Sequence, residues 1–261
     1  MTATPSPDPA PSGRRFGNRL GAGRIPIWVK VGYTLFVLMV VPYYWVTYTP
    51  WNFLYFCDIA LLVTLVALWA ESPFLISTQA LGIALAQMLW VVDFLARAVT
   101  GVHVTGMTGY MFDSSLPLFV RGLSSFHGWL PFLLVWAVAR LGYDRRAFGV
   151  QSAVAVVVLV VCYTLAPAPP PDASRPSAAV NINYVYGLDD RHPQTWMAPE
   201  LWVISLMGFM VVGLYLPAHE GLRRVFAEPE QARRRGQARP PHDDQPRSGS
   251  SAGAPTTLRT N

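Results

Sequence analysis

Long apolar stretches with almost no charge constrain the fold of this chain more than any other feature. Residues 54–92 carry only Asp58 and Glu71 as charged side chains, and residues 147–171 carry none. Over the whole chain 13% of the residues are charged, about half of the fraction found in soluble domains, and the mean hydropathy is +0.31. The sequence therefore predicts an all-α protein, a polytopic membrane helical bundle that resides in the cell membrane as a multi-pass protein.

Six apolar segments are each close to the ~20 residues that a helical crossing requires. We predict about six transmembrane helices, at residues 31–48, 53–70, 74–94, 124–141, 148–166 and 198–216. Ser72 and Pro73 separate the second span from the third. The prolines between Pro167 and Pro171 end the fifth span, because proline cannot donate a helical hydrogen bond.

The distribution of Lys and Arg predicts that both termini are cytoplasmic. In this orientation five of the 20 basic residues precede the first span, three lie in the turn at 140–146, eight follow the last span, and four face the opposite side. The positive-inside rule favours this arrangement. It also explains the net charge of +5 without nucleic acid, so the expected partners are membrane lipids.

Composition divides the chain into three parts. Residues 1–24 and most of 218–261 are rich in Pro, Gly, Ser and Arg, which predicts a disordered N-terminal tail and a basic, mostly disordered C-terminal tail, both cytoplasmic. The transmembrane domain is predicted to span 25–217. Within it, segment 95–123 contains Gly101, Gly106 and Gly109, which break helix, and several polar residues, and we expect a loop that lies on or dips into the outer membrane interface.

The adjacent pair Cys57 and Asp58 is the main candidate for chemistry. An acid at the centre of a membrane helix costs roughly 2.5–3.5 kcal/mol, so such residues mark functional sites. With ~1.5 Å of rise per residue, Cys57 lies roughly 9 Å and His127 roughly 5 Å below the same outer boundary. We predict a nucleophilic thiol with an imidazole as its base. The third member that orients the imidazole is Asp58, Asp93 or an asparagine.

Three alternatives stay open for these polar residues. Cys57 and Cys162 both fall in the outer half of their spans and can form a disulfide. The membrane acids can pair with Arg97 or Arg121 in a structural role. A metal site is the third, with four candidate ligands: His103, Asp113, His127 and Asp93. Their spacing matches no metal motif, so we predict neither a metal nor a cofactor.

Three segments resemble a known family. Tyr55–Ala60, which contains the Cys-Asp pair, resembles the Cys-Asp/Asn signature of the YwaF-type bacterial integral membrane proteins. Ser124–Gly128 resembles the family's histidine at a helix start, and Val180–Tyr186 is similar to its Asn-Tyr motif before the last span. The three occur in the family's order over about residues 50–217. The chain departs from the pattern at Tyr55, where a histidine is expected, and at Trp196–Pro199, which only partly matches a Gly-Pro-Trp-Pro element.

The resemblance implies acyl chemistry on lipids, because the wider group includes a eukaryotic transmembrane phospholipid acyltransferase. Carried over to this chain, Cys57 would be the acyl-accepting nucleophile and His127 the general base. The asparagine motif, Asn181 with Asn183 and Tyr184, would shape the site or hold its loop. We therefore expect a lipid acyltransferase or an acyl-ester hydrolase. The alternative is a non-enzymatic membrane protein, either a small transporter or a partner subunit, in which the charged residues line a polar path or pair helices.

Overall fold

The computed structural model describes residues 25–226, and within them every regular element is a helix. The α-helices are α1 (Ile27–Thr47), α2 (Phe56–Ala70), α3 (Pro73–Thr100), α4 (Leu118–Ser124), α5 (Phe126–Leu141), α6 (Ala147–Leu165), α7 (Pro199–Gly208) and α8 (Leu216–Phe226). Short 3-10 helices lie in three connections, at Pro50–Leu54, Gly109–Phe112 and Ile182–Tyr184. A π-helical segment, Phe209–Tyr215, joins α7 to α8. The predicted all-α membrane bundle is confirmed; the predicted tail 1–24 and residues 227–261 of the other tail lie outside the described residues.

Five helical segments in the described part are long and apolar enough to cross a membrane: Ile27–Thr47, Pro73–Thr100, Leu118–Leu141, Ala147–Leu165 and Pro199–Phe226. Each overlaps one predicted span. The remaining prediction, 53–70, corresponds to α2, which is apolar but has only 15 residues. At ~1.5 Å per residue this is roughly 22 Å, shorter than the ~30 Å hydrocarbon core. The chain is a multi-pass membrane protein, with five long apolar helices and one shorter one within residues 25–226.

Several boundaries differ from the prediction. α3 continues to Thr100 instead of 94 and ends where Gly101 adopts a positive φ of 77°. The apolar run in the predicted interfacial loop forms α4, which leads into α5 after a one-residue break at Ser125. The last helical stretch extends beyond 217 to Phe226. These boundaries differ because glycine and polar residues lower the hydropathy on which the prediction rests without preventing a helix.

The break between α2 and α3 follows from three consecutive residues. Glu71 takes a left-handed conformation with φ 47° and ends α2. The Ser72 side chain then accepts a hydrogen bond from the Leu75 N–H at 3.3 Å, which caps α3. Pro73 occupies the first turn of α3, where its missing N–H costs nothing. Lys30 of α1 binds Glu71 at 2.6 Å and ties the first helix to this turn.

α3 is the central helix of the bundle and packs against α2, α5 and α6. Its buried side chains include Ile76, Leu81 and Ile83, each no more than 2% exposed. Gly82 allows α6 to approach closely, because a Cβ there would lie 2.6 Å from the Gln151 side-chain nitrogen. At one end of the bundle the 3-10 helix at 50–54 contacts α1, α2 and the 3-10 helix at 182–184. The candidate site lies at this end.

Candidate functional site

The Cys57 thiol lies in the first turn of α2 beside a buried carboxylate. Its Sγ donates to Asp58 Oδ2 at 3.8 Å, and Asn52 Nδ2 donates to the same oxygen at 3.0 Å. Asp58 is 3% exposed, and its Oδ1 is buried without a hydrogen-bond partner among residues 25–226. Cys57 and Cys162 are both free, so the alternative of a disulfide between them is wrong.

His127 lies in the first turn of α5. Its Nδ1 is 2.8 Å from the Ser124 carbonyl oxygen. Because a carbonyl only accepts, Nδ1 carries the proton, which leaves Nε2 as the acceptor nitrogen of the neutral ring. The ring stacks on Trp90 at 5.7 Å between centroids and contacts Phe126 at 4.1 Å. In the described part of the chain, Cys57 and His127 therefore have different hydrogen-bond partners.

Two tyrosine hydroxyls link the surroundings of the thiol and the imidazole. The Tyr44 hydroxyl lies 3.2 Å from Ser124 Oγ, on the residue that binds His127. The Tyr110 hydroxyl accepts from Trp90 Nε1 at 3.2 Å, on the ring that stacks on His127. Cys57 is close enough to both tyrosines to interact with them electrostatically. We call these residues the Cys57 cluster: Tyr44, Asn52, Cys57, Asp58, Tyr110, Ser124 and His127.

Asn183 holds the start of α2 in place. Its side-chain nitrogen donates to the Leu54 carbonyl at 2.8 Å, and its side-chain oxygen accepts from the Phe56 N–H at 3.1 Å. The same nitrogen lies 3.6 Å from Cys162 Sγ. Asn183 has a positive φ of 57°, a conformation that asparagine adopts more readily than most residues. Its position thus fixes the backbone on both sides of the turn that presents Cys57.

Asn181 makes its hydrogen bonds within the loop between α6 and α7. Its side-chain nitrogen donates to the Gly187 carbonyl at 2.9 Å and to Asp190 Oδ1 at 3.2 Å, and its side-chain oxygen accepts from the Tyr186 N–H at 2.9 Å. Burial raises the pKa of Asp190 above its usual value. Both asparagines therefore hold the loop between α6 and α7.

Tyr184 differs from the two asparagines because its side chain is exposed. The side chain is 40% exposed and interacts electrostatically with Cys57. Its carbonyl accepts from Trp202 Nε1 of α7 at 2.8 Å. Tyr184 thus lies between the Cys57 cluster and the surface of the protein.

The Asp93 carboxylate holds the turn at 103–108 through hydrogen bonds. Its Oδ1 accepts from the N–H groups of residues 104, 105 and 106 at 2.7, 2.6 and 3.1 Å. Its Oδ2 accepts from the Thr108 N–H at 3.0 Å and hydroxyl at 2.5 Å and lies 3.2 Å from His103 Nδ1. The side chain is fully buried. This turn leads into the 3-10 helix that carries Tyr110, so Asp93 acts on the Cys57 cluster through the loop.

The two arginines of the structural alternative do not pair with the membrane acids. The Arg97 guanidinium lies over the Phe112 ring at 5.8 Å, and Arg121 Nη1 donates to the Met111 carbonyl at 3.2 Å. The metal alternative also fails within residues 25–226, because no group of three or more His, Cys, Asp or Glu side chains there could hold a metal ion. Of its four candidates, Asp93 and His103 are in contact.

Sequence reasoning missed four members of the cluster: Tyr44, Asn52, Tyr110 and Ser124. Asn52 carried a usable signal, since it is an amide in an apolar segment just before Asp58. Tyr44 and Tyr110 have the composition of ordinary interface aromatics, and nothing local distinguishes them. Ser124 contributes through its carbonyl as well as its hydroxyl, and the carbonyl role is independent of residue type.

Comparisons with protein-family models, with curated proteins and with solved structures give no match in any of the three. The fold and the long apolar helices define the class as a multi-pass helical membrane protein.

Proposed function

We propose that this protein is a membrane enzyme that transfers or hydrolyses an acyl group on a lipid, with Cys57 as its nucleophile. One observation carries the proposal: a free, half-buried thiol lies beside a buried carboxylate at the start of an apolar helix. Thiols are the best neutral-pH nucleophiles among side chains. The resemblance of three segments to the YwaF-type family supports the same proposal, because the resembling segments contain the cysteine and the histidine that the proposal uses.

In the first step of the proposed reaction the thiol loses its proton and attacks the ester carbonyl of a lipid. The carbon–sulfur bond forms, the carbon–oxygen ester bond breaks, and the lipid oxygen leaves with the proton taken from sulfur. Two acceptors are available in the Cys57 cluster, Asp58 Oδ2 at 3.8 Å from Sγ and the unprotonated Nε2 of His127. We assign the base to His127, which becomes effective as the substrate brings its ring and the thiol together.

In the second step a lipid hydroxyl or water attacks the acyl-thioester. A new carbon–oxygen bond forms, the carbon–sulfur bond breaks, and the proton of the attacking hydroxyl returns to sulfur through the same base. A lipid hydroxyl gives acyl transfer, and water gives hydrolysis. In the proposed reaction Tyr44 and Tyr110, which interact electrostatically with Cys57, would donate their hydroxyl hydrogens to the developing oxyanion.

Labelling with a membrane-permeant, thiol-reactive acyl probe tests the proposal in intact membranes. We expect wild type and Cys162→Ala to be labelled, because Cys162 is fully buried and serves as the matched cysteine control. Cys57→Ser should lose labelling. His127→Ala should slow labelling by about 100-fold, the lower range of general-base contributions. Lipid profiling of the same membranes should then show acyl exchange or free fatty acid that depends on Cys57.

One observation favours the non-enzymatic alternative, in which the polar groups only hold backbone. Asn181, Asn183 and Asp93 all bind main-chain groups of the loops. If these contacts are the whole purpose of the polar end, His127→Ala will be labelled at the wild-type rate and lipid composition will not depend on Cys57. That pair of results would replace the enzyme with a transporter or a partner subunit.

A further inference from the structure

A second feature lies on α1 and α5, away from the Cys57 cluster. An apolar groove of about 430 Å³ runs along the first half of α1 and the middle of α5. Its walls are mostly aromatic and include Trp28, Phe36, Trp129 and Trp136. Trp129 packs edge-on against Phe36 at 5.1 Å, which closes the groove at the end nearer the cluster. From there the groove runs towards the turn between α5 and α6.

Gly32 of α1 keeps the groove open. A Cβ built at this residue would find no atom within 4 Å. Gly32 lies in the second turn of α1, inside the helix, where glycine is about 1 kcal/mol less favourable than alanine. A side chain at this position would begin in the open space of the groove. The groove is therefore a consequence of this residue as well as of the aromatic walls.

A cation lies at the end of the groove. Arg140 is in the last turn of α5, and its guanidinium is 5.4 Å from the centre of the Trp136 ring that lines the groove. Its Nε is buried and has no hydrogen-bond partner, and no ion pair involves it among residues 25–226. Lys30, near the start of α1, is in contrast neutralised by Glu71 at 2.6 Å.

We propose that the groove binds one anionic phospholipid from the leaflet on the side of the α5–α6 turn. An acyl chain fills the apolar groove and the phosphate binds Arg140. A guanidinium pairs with phosphate oxygens through two parallel hydrogen bonds, and among residues 25–226 the Arg140 guanidinium has no ion pair that would compete with a phosphate. Basic pockets between transmembrane helices bind anionic lipid head groups in this way. The site is independent of the acyl chemistry proposed at Cys57.

Native mass spectrometry of the full-length protein, titrated with phosphatidylglycerol or phosphatidylcholine, tests the proposal. We expect wild type to retain phosphatidylglycerol at least tenfold more tightly. Arg140→Gln should reduce binding of phosphatidylglycerol to the level of phosphatidylcholine, and Gly32→Leu should weaken the binding of both. Arg145→Gln, which removes an exposed cation from the same turn, and Gly149→Leu, which fills an open position on α6, are the matched controls and should behave as wild type.

Two results would overturn this assignment. If Arg145→Gln lowers phosphatidylglycerol binding as much as Arg140→Gln, the preference is a general attraction to a basic turn and not a site. If Gly32→Leu binds both lipids like wild type while remaining as thermally stable, the groove does not hold the acyl chain. Arg140→Gln alone still decides the head-group part should Gly32→Leu fail to fold.

Discussion

Replacing Asp93 by asparagine exchanges one carboxylate oxygen for an NH₂ group in the side chain that holds the 103–108 turn. The asparagine oxygen can still accept from the N–H groups of residues 104–106. Its NH₂ group, however, replaces the oxygen that accepts from Thr108. Two donors, this NH₂ group and the buried N–H of Thr108, then face each other. An unsatisfied buried N–H costs roughly 1–3 kcal/mol, and each hydrogen bond to a charged group contributes about 1.5–3 kcal/mol, part of which is lost with the charge. We expect the turn to lose about 3 kcal/mol of local stability.

Hydrogen exchange measured by mass spectrometry in lipid nanodiscs reports this change directly. Local opening of the turn exposes the amides of residues 104–108, and 3 kcal/mol corresponds to an opening equilibrium larger by on the order of a hundredfold. These amides should exchange about a hundred times faster in Asp93→Asn than in wild type. The core segment 76–83 of α3 should exchange at its original rate, because the opening is confined to the loop.

The control is the same chemical change at an exposed position of the same loop. Asp113 Oδ1 accepts from the Ser115 N–H at 2.8 Å in an exposed turn. Water can replace that bond, so Asp113→Asn should change exchange less than about tenfold. Our reasoning is refuted if Asp93→Asn leaves the turn as protected as wild type, or if the two variants accelerate its exchange equally.

Substitutions at three further residues have definite expected outcomes. Ser72→Ala removes the side-chain cap of α3 and should cost about 1 kcal/mol, seen as a fall of a few degrees in Tm. Asn183→Ala removes two hydrogen bonds beside α2 and places alanine at a positive φ, so the free energy of unfolding measured with denaturant should fall by about 2–3 kcal/mol. Asn183→Gly should recover about 1 kcal/mol of this loss, because glycine adopts a positive φ without strain. Burial raises the pKa of Asp190 above its usual value of 3.8. Protection of the loop between α6 and α7 against hydrogen exchange should therefore be greatest below pH 3.8 and fall as the pH rises through the raised pKa. After correction for the intrinsic effect of pH on exchange, Asp190→Asn should lose this pH dependence.

Hydropathy was sufficient for the bundle because it measures transfer into lipid, which dominates the folding of such chains. It correctly located the five long helices and the break at Ser72 and Pro73. It could not give the start of α2, because the predicted span began at residue 53, inside a segment that starts with Pro50 and forms a 3-10 helix. It also missed α4, since Gly122 and Arg121 lower the apolar character of a segment that is nonetheless helical.

The site shows where sequence patterns stop being informative. The pair Cys57 and Asp58 could be predicted because an acid in an apolar span is costly and therefore conspicuous. The partners could not: Asn183 meets the start of α2 across about 130 residues of sequence, 127 to Phe56 and 129 to Leu54. The role of Asp93 depends on a turn in which Gly106 takes a positive φ of 83° and several N–H groups converge. That convergence is a property of backbone geometry and leaves no periodic signal.

Among the polar groups at this end of the bundle, Asp58 stands apart from those that hold loops. Asn183 and Asp93 satisfy main-chain groups and would be expected in any membrane protein with long connections at one end. Asp58 binds no main-chain group through its side chain; its Oδ2 takes Asn52 and the thiol, and its Oδ1 is left buried without a partner in the described part of the chain. A buried oxygen without a partner costs stability, so a role in loop structure does not account for it. In the proposed reaction this oxygen would bind a ligand's hydroxyl, which is why the proposal is built on the thiol beside Asp58 and not on the larger set of polar residues.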